Sequence, residues 1–319
     1  MNRSSRGKKR KLLVTGWSGF VAGSVITQAQ DNWEVHGVGR TEPPGNTAGL
    51  EFHRFDLLDH ERTQGLFDEI RPDAVIHAAA IADIDYCQRN QNISEKVNVD
   101  VTANVSRICE DHEIKFVFCS TDNVFDGKDG FYSETDSPNA VNFYGETKIR
   151  SEEIIKNMRT GGVIARVALV IGLPVIGRGN SFLSGAIERW KAGLSADYPD
   201  NEIRTPIDVI TLGRALIELA GSDFSGTIHL AGNSRMTRYE MSQFIAEKLG
   251  YKTELNLPIN SNSVEGRAPR PDDVSMDNSR AKSLLRTPML SLLEGLNLAL
   301  NYRAPYDVGS PALNAEQEG

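Results

Sequence analysis

A tyrosine and a lysine stand one helical turn apart in VNFYGETKIRSEEII: Tyr144 and Lys148, at i and i+4, share a helix face. A free phenol titrates near about 10 and is a poor acid–base group at neutral pH. An ammonium about 4 Å away is worth at most about 4 kcal/mol at an effective dielectric near 20, enough to draw that pKa down by up to roughly 3 pH units. The pair reads as a proton-transfer group and its tuner, with Lys148 also long enough to reach a cofactor ribose. Upstream, IKFVFC runs into Ser120, Thr121 and Asp122, and Thr121 offers a hydroxyl to hold a substrate oxygen in line. The alternative is a packed tyrosine and a solvated lysine on an ordinary helix.

A second constellation lies near the start. VTGWSGFVAG (14–23) places Gly16 and Gly19 three apart, with Ala22 where a third glycine would fall. A glycine loop that leaves a strand and opens a helix presents backbone N–H groups at the positive end of the helix dipole, a site for a pyrophosphate. The third position accepts alanine, so the loop from Gly16 through Trp17, Ser18, Gly19, Phe20 and Val21 reads as dinucleotide-binding. A turn that binds nothing is the alternative. The second strand should then read the adenosine ribose. There VHGVGRTEP carries Arg40 and no acid before Glu42. A guanidinium pairs with a 2′-phosphate, whereas an acid would favour a free 2′-hydroxyl. NADP(H) is the preferred cofactor and NAD(H) the alternative, in which Arg40 is an ordinary surface arginine.

These groups need a frame. KLLVT (11–15), WEVHGV (33–38), EFHRFD (51–56), DAVIHAAA (73–80) and IKFVFCS (114–120) are short and rich in β-branched or aromatic residues, as strands are. Helical stretches alternate with them, at about 20–30, 59–70 and 90–112. This order predicts an α/β fold, a doubly wound parallel sheet of Rossmann type. TPIDVITLGRALIELA and GTIHLAG predict a further helix and strand that rejoin the sheet. A smaller, mostly helical C-terminal substrate lobe is expected from a helix near 181–193 and from YEMSQFIAEKLG and SLLEGLNLAL. The division predicted is 11–170 plus about 203–232 for the dinucleotide-binding domain and about 171–202 plus 233–300 for the lobe, with 1–10 and 301–319 as tails.

Bulk properties narrow the class. The formal net charge is −8 despite six basic residues in the leader MNRSSRGKKRK, which argues against a nucleic-acid-binding face. No apolar run approaches the roughly 18 residues of a membrane helix, and LLV is too short for a signal peptide. Three cysteines, Cys87, Cys109 and Cys119, form no C-x-x-C pair, so a cytoplasmic location is expected. The six histidines show no H-E-x-x-H or comparable spacing, and no metal site is expected. There is also no G-x-S-x-G elbow and no Walker loop.

Taken in order, TGWSGFVAG, FDLLD, HAAA, CSTDNVFDG and YGETK resemble an extended short-chain dehydrogenase/reductase. More closely, about residues 11–300 resemble the dTDP-4-dehydrorhamnose reductase group, which includes the regulatory β subunit of methionine adenosyltransferase. The resemblance implies that Asp56 and Leu57 meet an adenine, and that His77, Ala78, Ala79 and Ala80 line the cofactor near the nicotinamide ribose. It makes Thr121, Tyr144 and Lys148 the catalytic set. IDYCQ (84–88), with Asp85, matches a substrate-side loop. IRTPIDV and APRPDDVSMD match segments that supply arginines to a sugar-nucleotide diphosphate, here Arg204 and Arg270 with Arg267 behind them; salt bridges are their alternative role. Asn123 replaces a usual aromatic and Leu169 a tryptophan, both in the sugar pocket. The implied activity is reduction by NADP(H) of a keto group on a nucleotide-linked sugar. The alternative is a non-catalytic NADP-binding regulatory subunit of a partner enzyme. Homodimerisation is an implication of the family alone.

Overall fold

A computed structural model describes residues 9–42, 49–176 and 181–303. Seven parallel strands form the central sheet: β1 (Arg10–Thr15), β2 (Trp33–Gly39), β3 (Leu50–Arg54), β4 (Ala74–His77), β5 (Lys115–Thr121), β6 (Val163–Val167) and β7 (Gly226–Leu230). Their spatial order is β7-β6-β5-β4-β1-β2-β3. The chain therefore winds outward from β1 to β3, returns to the other side of β1, and winds outward again to β7. That reversal leaves a crevice beyond the C-terminal ends of β1 and β4, where open α/β sheets bind ligands.

Period-2 alternation explains why both faces are covered. Leu12 and Val14 of β1 join a core with Ile76, Val117 and Val163, packed by α1 (Phe20–Ala29). Leu13 points the other way, into a core with Val75, Phe116 and Phe118, packed by α2 (His60–Ile70) and α3 (Val101–Asp111). Helix α4 (Phe143–Lys156) crosses between β5 and β6, and α5 (Val209–Ala220) between β6 and β7. Ser24 of α1 donates to the Val209 carbonyl at 2.7 Å, tying the first helix to the last crossover.

A third core gathers around the helices Phe182–Lys191, Arg238–Lys248 and Leu292–Asn301, with Trp190, Tyr198 and Ile245 at its centre. Three two-stranded pairs lie outside the main sheet: Ala196–Pro199 with Asn256–Ile259, Ile203–Arg204 with Met236–Thr237, and Val170–Ile171 with Ile207–Asp208. Sequence periodicity gave no sign of them because two to four residues carry no alternation to read. The helix expected at 90–112 is interrupted: Gln91–Glu95 passes through a π-turn at Lys96–Asp100 before α3. The expected tails 1–10 and 301–319 fall largely outside the described residues, except that Arg10 begins β1 and Asn301 ends the last helix.

The turn after β1 has little latitude. Gly16 has φ +72°, a region that side chains other than glycine rarely adopt, and a Cβ there would lie 2.8 Å from the Ala79 Cα. Gly16→Ala should therefore destabilise the protein by about 2 kcal/mol or more, read as a lowered Tm. A variant as stable as wild type would show that the 14–19 turn can move off β4.

Candidate functional site

Five segments meet in the crevice: the glycine loop, the end of β2, the Ala78–Ala80 stretch after β4, the Thr121–Asn123 turn after β5, and the first turns of α4. Register decides the first contact. Thr15 and His77 are partners across β1 and β4, so their side chains emerge on one face, and the Thr15 Oγ1 lies 2.8 Å from His77 Nδ1. The same oxygen accepts the backbone N–H groups of Ala78 and Ala79, each at 3.1 Å. On the far side of the ring, His77 Nε2 is 3.1 Å from Thr102 Oγ1, whose own proton goes to the Asn98 carbonyl at 2.6 Å.

A hydroxyl donates once, so Thr102 must accept from Nε2–H and Thr15 must donate to a bare Nδ1. His77 is thereby fixed as the neutral Nε2–H tautomer. Its pKa is pushed down to about 3 by burial first and by Lys148 second. The ring stacks against Phe116 and Phe118, so the His77 side chain sits inside the protein and only the backbone that follows lines the crevice.

The helix after the glycine loop is open at its start. Most helices that begin afresh carry a side-chain cap: Asp59 for α2, Asn142 for α4, Asp208 for α5, Ser181, Thr237 and Ser291 for the three outer ones. Helix α1 has Gly19 at its N-cap and no side-chain cap. Gly23 N–H makes the first intrahelical bond, to Gly19 O at 2.9 Å, which leaves Phe20, Val21 and Ala22 N–H as the orphan donors of the first turn. Not every loop residue faces the crevice. Gly16 and Trp17 N–H go to the Val38 carbonyl, and the Trp17 indole is buried edge-on against Phe52 at 4.8 Å. At the end of β2, Arg40 is 73% exposed and 4.0 Å from Asp56. Leu57 is buried in the core beneath.

Helix α4 is held close to the β5 turn. Asn142 Oδ1 caps Gly145 N–H at 3.0 Å, and a Cβ on Gly145 would fall 2.2 Å from the Asn123 carbonyl oxygen. Only glycine allows that approach, which brings Tyr144 alongside Thr121. All three of Thr121, Tyr144 and Lys148 are buried. Lys148 Nζ donates to the Cys119 carbonyl at 2.9 Å and lies 4.5 Å from the Phe118 ring centre.

The electrostatics differ from the sequence-level expectation. Burial raises the Tyr144 phenol, the nearby Asp122 carboxylate adds to this, and Thr121 acts against it. Burial also lowers Lys148 to about 8, with Cys119 and Glu152 opposing. The phenol is thus a firmly protonated acid in this state, and the ammonium is engaged with a carbonyl. Asp122 itself is raised by burial, against Arg204, Thr121 and Asn123. The Cys119 thiol rises to about 12 by burial, so it is no nucleophile at neutral pH.

The proposed substrate residues turn out to be partnered. Arg270 donates to Asp85 at 2.9 Å and to the Ala268 carbonyl at 2.7 Å, while Asp85 also accepts Ala268 N–H at 2.8 Å. Arg204 is buried and donates to the carbonyls of Ile203, Asp272 and Pro271, with its Nε 3.9 Å from Asp122. Buried Glu202 lies 3.4, 3.3 and 3.4 Å from Arg204, Arg238 and Arg267. Asn123 folds back on Asp122 at 2.8 Å, leaving its own buried Oδ1 without a partner.

Two residues were missed from sequence. Asn98, on the π-turn, clamps both backbone groups of Ile81, at 2.8 and 3.1 Å, and reaches Thr147 at 3.1 Å. A π-turn often marks a functional position, but Asn98 sits in sequence among other polar residues of its face, Ser94 and Thr102, and so does not stand out. Glu202 gave no usable signal: Arg204 lies two residues away, but Arg238 and Arg267 reach the carboxylate only through the fold.

Comparison with known proteins agrees with this geometry. The family model "RmlD substrate binding domain" matches residues 10–303. The chain is 31% identical over 245 residues to a probable low-salt glycan biosynthesis reductase, Agl14, of Haloferax volcanii, covering 75% of this chain and 80% of that one. It is 28% identical over 290 residues to methionine adenosyltransferase 2 subunit beta of Bos taurus, covering 88% and 84%. A hypothetical dTDP-4-dehydrorhamnose reductase from Sulfolobus tokodaii superposes with TM-score 0.79 at 29% identity, over 90% of this chain and 99% of that one. A Bacillus anthracis dTDP-4-dehydrorhamnose reductase solved with NADP has TM-score 0.79 at 22% identity, over 92% and 99%, and shares the fold. Sheet order, crevice and family match agree: the chain belongs to the RmlD substrate-binding-domain family, the dTDP-4-dehydrorhamnose reductase group of extended short-chain dehydrogenases/reductases.

Proposed function

We propose that the protein is an NADP(H)-dependent reductase of a keto group on a nucleotide-linked sugar. The observation that carries this reading is a buried, protonated Tyr144 beside Thr121, one turn from Lys148, at the mouth of an uncapped glycine-loop helix. The orphan N–H groups of Phe20, Val21 and Ala22 fit a pyrophosphate, which makes a dinucleotide the matching cofactor. Arg40 would meet a 2′-phosphate, Asp56 the adenine side, the Ala78–Ala80 backbone the ribose, and Lys148 the nicotinamide ribose. When bound, the cofactor supplies the hydride. Thr121 holds the ketone oxygen and Tyr144 gives it a proton. A phenol with a raised pKa suits this direction, because a donor has to start protonated.

Four guanidinium groups, Arg204, Arg238, Arg267 and Arg270, surround the carboxylates Glu202 and Asp85. Burial biases their third carboxylate neighbour, Asp122, toward its neutral form. The surplus of positive charge supports a diphosphate-bearing substrate, with the partly exposed Arg238 and Arg267 best placed to swing toward it. The domain division and cytoplasmic location expected from sequence belong to the same reading.

A second reading rests on the similarity to methionine adenosyltransferase subunit beta and on Asn123 and Leu169. In it the pocket binds NADP and the protein acts through a partner enzyme. Co-purification with a synthetase-type enzyme, together with no NADPH oxidation by any keto-sugar nucleotide, would favour it over the reductase.

Three measurements test the main reading. In a screen of keto-sugar nucleotides with NADPH, Tyr144→Phe should lower kcat by about 10²–10⁴-fold; unchanged turnover removes the proton donor. Arg40→Ala should raise KM for NADPH by about 10-fold or more while leaving NADH almost unaffected, and an equal effect on both coenzymes would separate Arg40 from the 2′-phosphate. Lys148→Met should abolish turnover yet make the cofactor-free protein more stable at pH 7. A lysine whose folded pKa lies near about 8, below its unfolded value, carries a penalty that is full below pH 8 and fades as the pH rises toward 10.5. Denaturant titrations should therefore show the variant ahead by about 1–3 kcal/mol at pH 7, with the gap narrowing by pH 10; a gap that widens with pH contradicts the buried-amine account.

A further inference from the structure

Away from the crevice, two copies of the tripeptide pattern E-x-H lie side by side: Glu34-Val35-His36 on β2 and Glu51-Phe52-His53 on β3. Residues two apart in a strand share a face. The parallel register pairs His36 with Glu51 and Val38 with His53, so all four polar side chains emerge on the same side of the sheet edge. His36 Nδ1 lies 3.3 Å from His53 Nε2 and 3.4 Å from Glu51 Oε2. The ligand atoms of His36, Glu51 and His53 are all within 4.8 Å of one another.

From this arrangement we propose that the β2–β3 edge is a binding site for a divalent transition-metal ion of the zinc class, ligated by His36 Nδ1, His53 Nε2 and Glu51. A tetrahedral ion with bonds of about 2.0–2.1 Å sets its ligands about 3.3 Å apart, which is the spacing of both measured pairs. Two imidazoles and one carboxylate suit zinc, cobalt or nickel better than calcium or magnesium, which take oxygen ligands. The remaining nitrogen of His36 faces Glu34 Oε1 at 3.3 Å. That is the carboxylate–histidine–metal relay that orients a ligating ring and raises its basicity. Glu34 is in turn paired with Lys11 at 3.5 Å.

Proton positions support a cation. With Nε2–H given to Glu34, His36 Nδ1 is a lone pair facing a carboxylate oxygen and a second imidazole nitrogen. His53 can satisfy one of those contacts by donating, and the Glu51 contact then sets two acceptors against each other. An ion between them, or a turn of the exposed Glu51 carboxylate into water, relieves that contact. The imidazole of His36 is 4% exposed and the Glu51 side chain 66%, so the site has one rigid wall and one side open to water. An ion there would staple β3, which among the described residues pairs only with β2, to the rest of the sheet.

The experiment strips the full-length chain with a chelator and titrates it with Co²⁺, following the visible d–d absorption. The expected result is one Co²⁺ per chain, displaced by Zn²⁺, with a higher Tm for the loaded protein. Glu51→Gln and His53→Gln, both outside the crevice, should each weaken binding by about 100-fold, and Glu34→Gln by about 10–100-fold. Circular dichroism would confirm that these variants are folded, so the buried His36 need not be mutated. No saturable binding up to about 1 mM Co²⁺ overturns the proposal. Binding that persists in both ligand variants, or that shows thiolate charge-transfer bands, overturns it by placing the ion elsewhere.

Discussion

The candidate site depends on a single buried oxygen. Thr15 Oγ1 gives its proton to His77 and takes two backbone N–H groups, from Ala78 and Ala79. These three contacts bind the end of β1, the end of β4 and the segment after β4 into one rigid corner. The next residue, Gly16, turns the chain at positive φ directly against Ala79. The glycine loop and the Ala78–Ala80 backbone therefore cannot separate without leaving a buried donor or acceptor unpaired, each costing about 1–3 kcal/mol. The network continues through Thr102 and Asn98 to Ile81 and Thr147, so the corner reaches α4 without an unsatisfied group along the way. A fully satisfied polar chain of this kind specifies one geometry, whereas apolar packing alone would tolerate several.

A second buried arrangement sets the other wall. Glu152 of α4 is completely buried and receives Arg166 of β6 at 2.8 Å and Ser120 of β5 at 2.6 Å. This ion pair fastens α4 across two strands at the level of Lys148, one turn away. A buried pair is poor evidence for net stability, since desolvation offsets much of the attraction, but it does fix where the helix lies. Against this rigid background Lys148 is held in a place that disfavours its charge, and Tyr144 in one that disfavours its anion. Both groups are displaced from their solution behaviour by the same apolar surroundings. Paired displacement of this kind marks the position as a candidate functional site.

Most of the frame was legible in sequence because its signals are local. Buried parallel strands need apolar runs, the turn after β1 needs glycine, and two faces need alternating helices. VIHAAA, FVFCS and VTGWSG supply each of these within a few residues. Partnership was not legible. Nothing near Arg204 or Arg270 in the chain announces that Asp122 and Asp85 will be folded against them, or that Arg238 and Arg267 will join Glu202. The same holds for His77, which shares a motif with three crevice-lining alanines yet points inward because strand alternation turns its side chain toward Thr102. The His36–Glu51–His53 cluster was illegible for a related reason, because the E-x-H pairs become neighbours only through the register of β2 with β3.

The two sides of the crevice are built from different interactions. The sheet side is locked by short, neutral or fully paired hydrogen bonds and responds little to added charge. The opposite side is joined to it by the Asp85–Arg270 ion pair and by the approach of Arg204 to within 3.9 Å of Asp122, and is organised around Glu202 and its arginines. An ion pair can exchange partners, while a buried hydroxyl with its proton assigned cannot. An anionic ligand entering from the lobe side therefore meets guanidinium groups that already hold carboxylates, and its binding must compete with Glu202 and Asp85 rather than fill a vacant charge. Such competition favours a ligand with two negative groups over one with a single negative group, because only the former replaces both carboxylates at once. In the proposed reductase, the arrangement would couple recognition of a doubly charged group on one side to a fixed proton donor on the other.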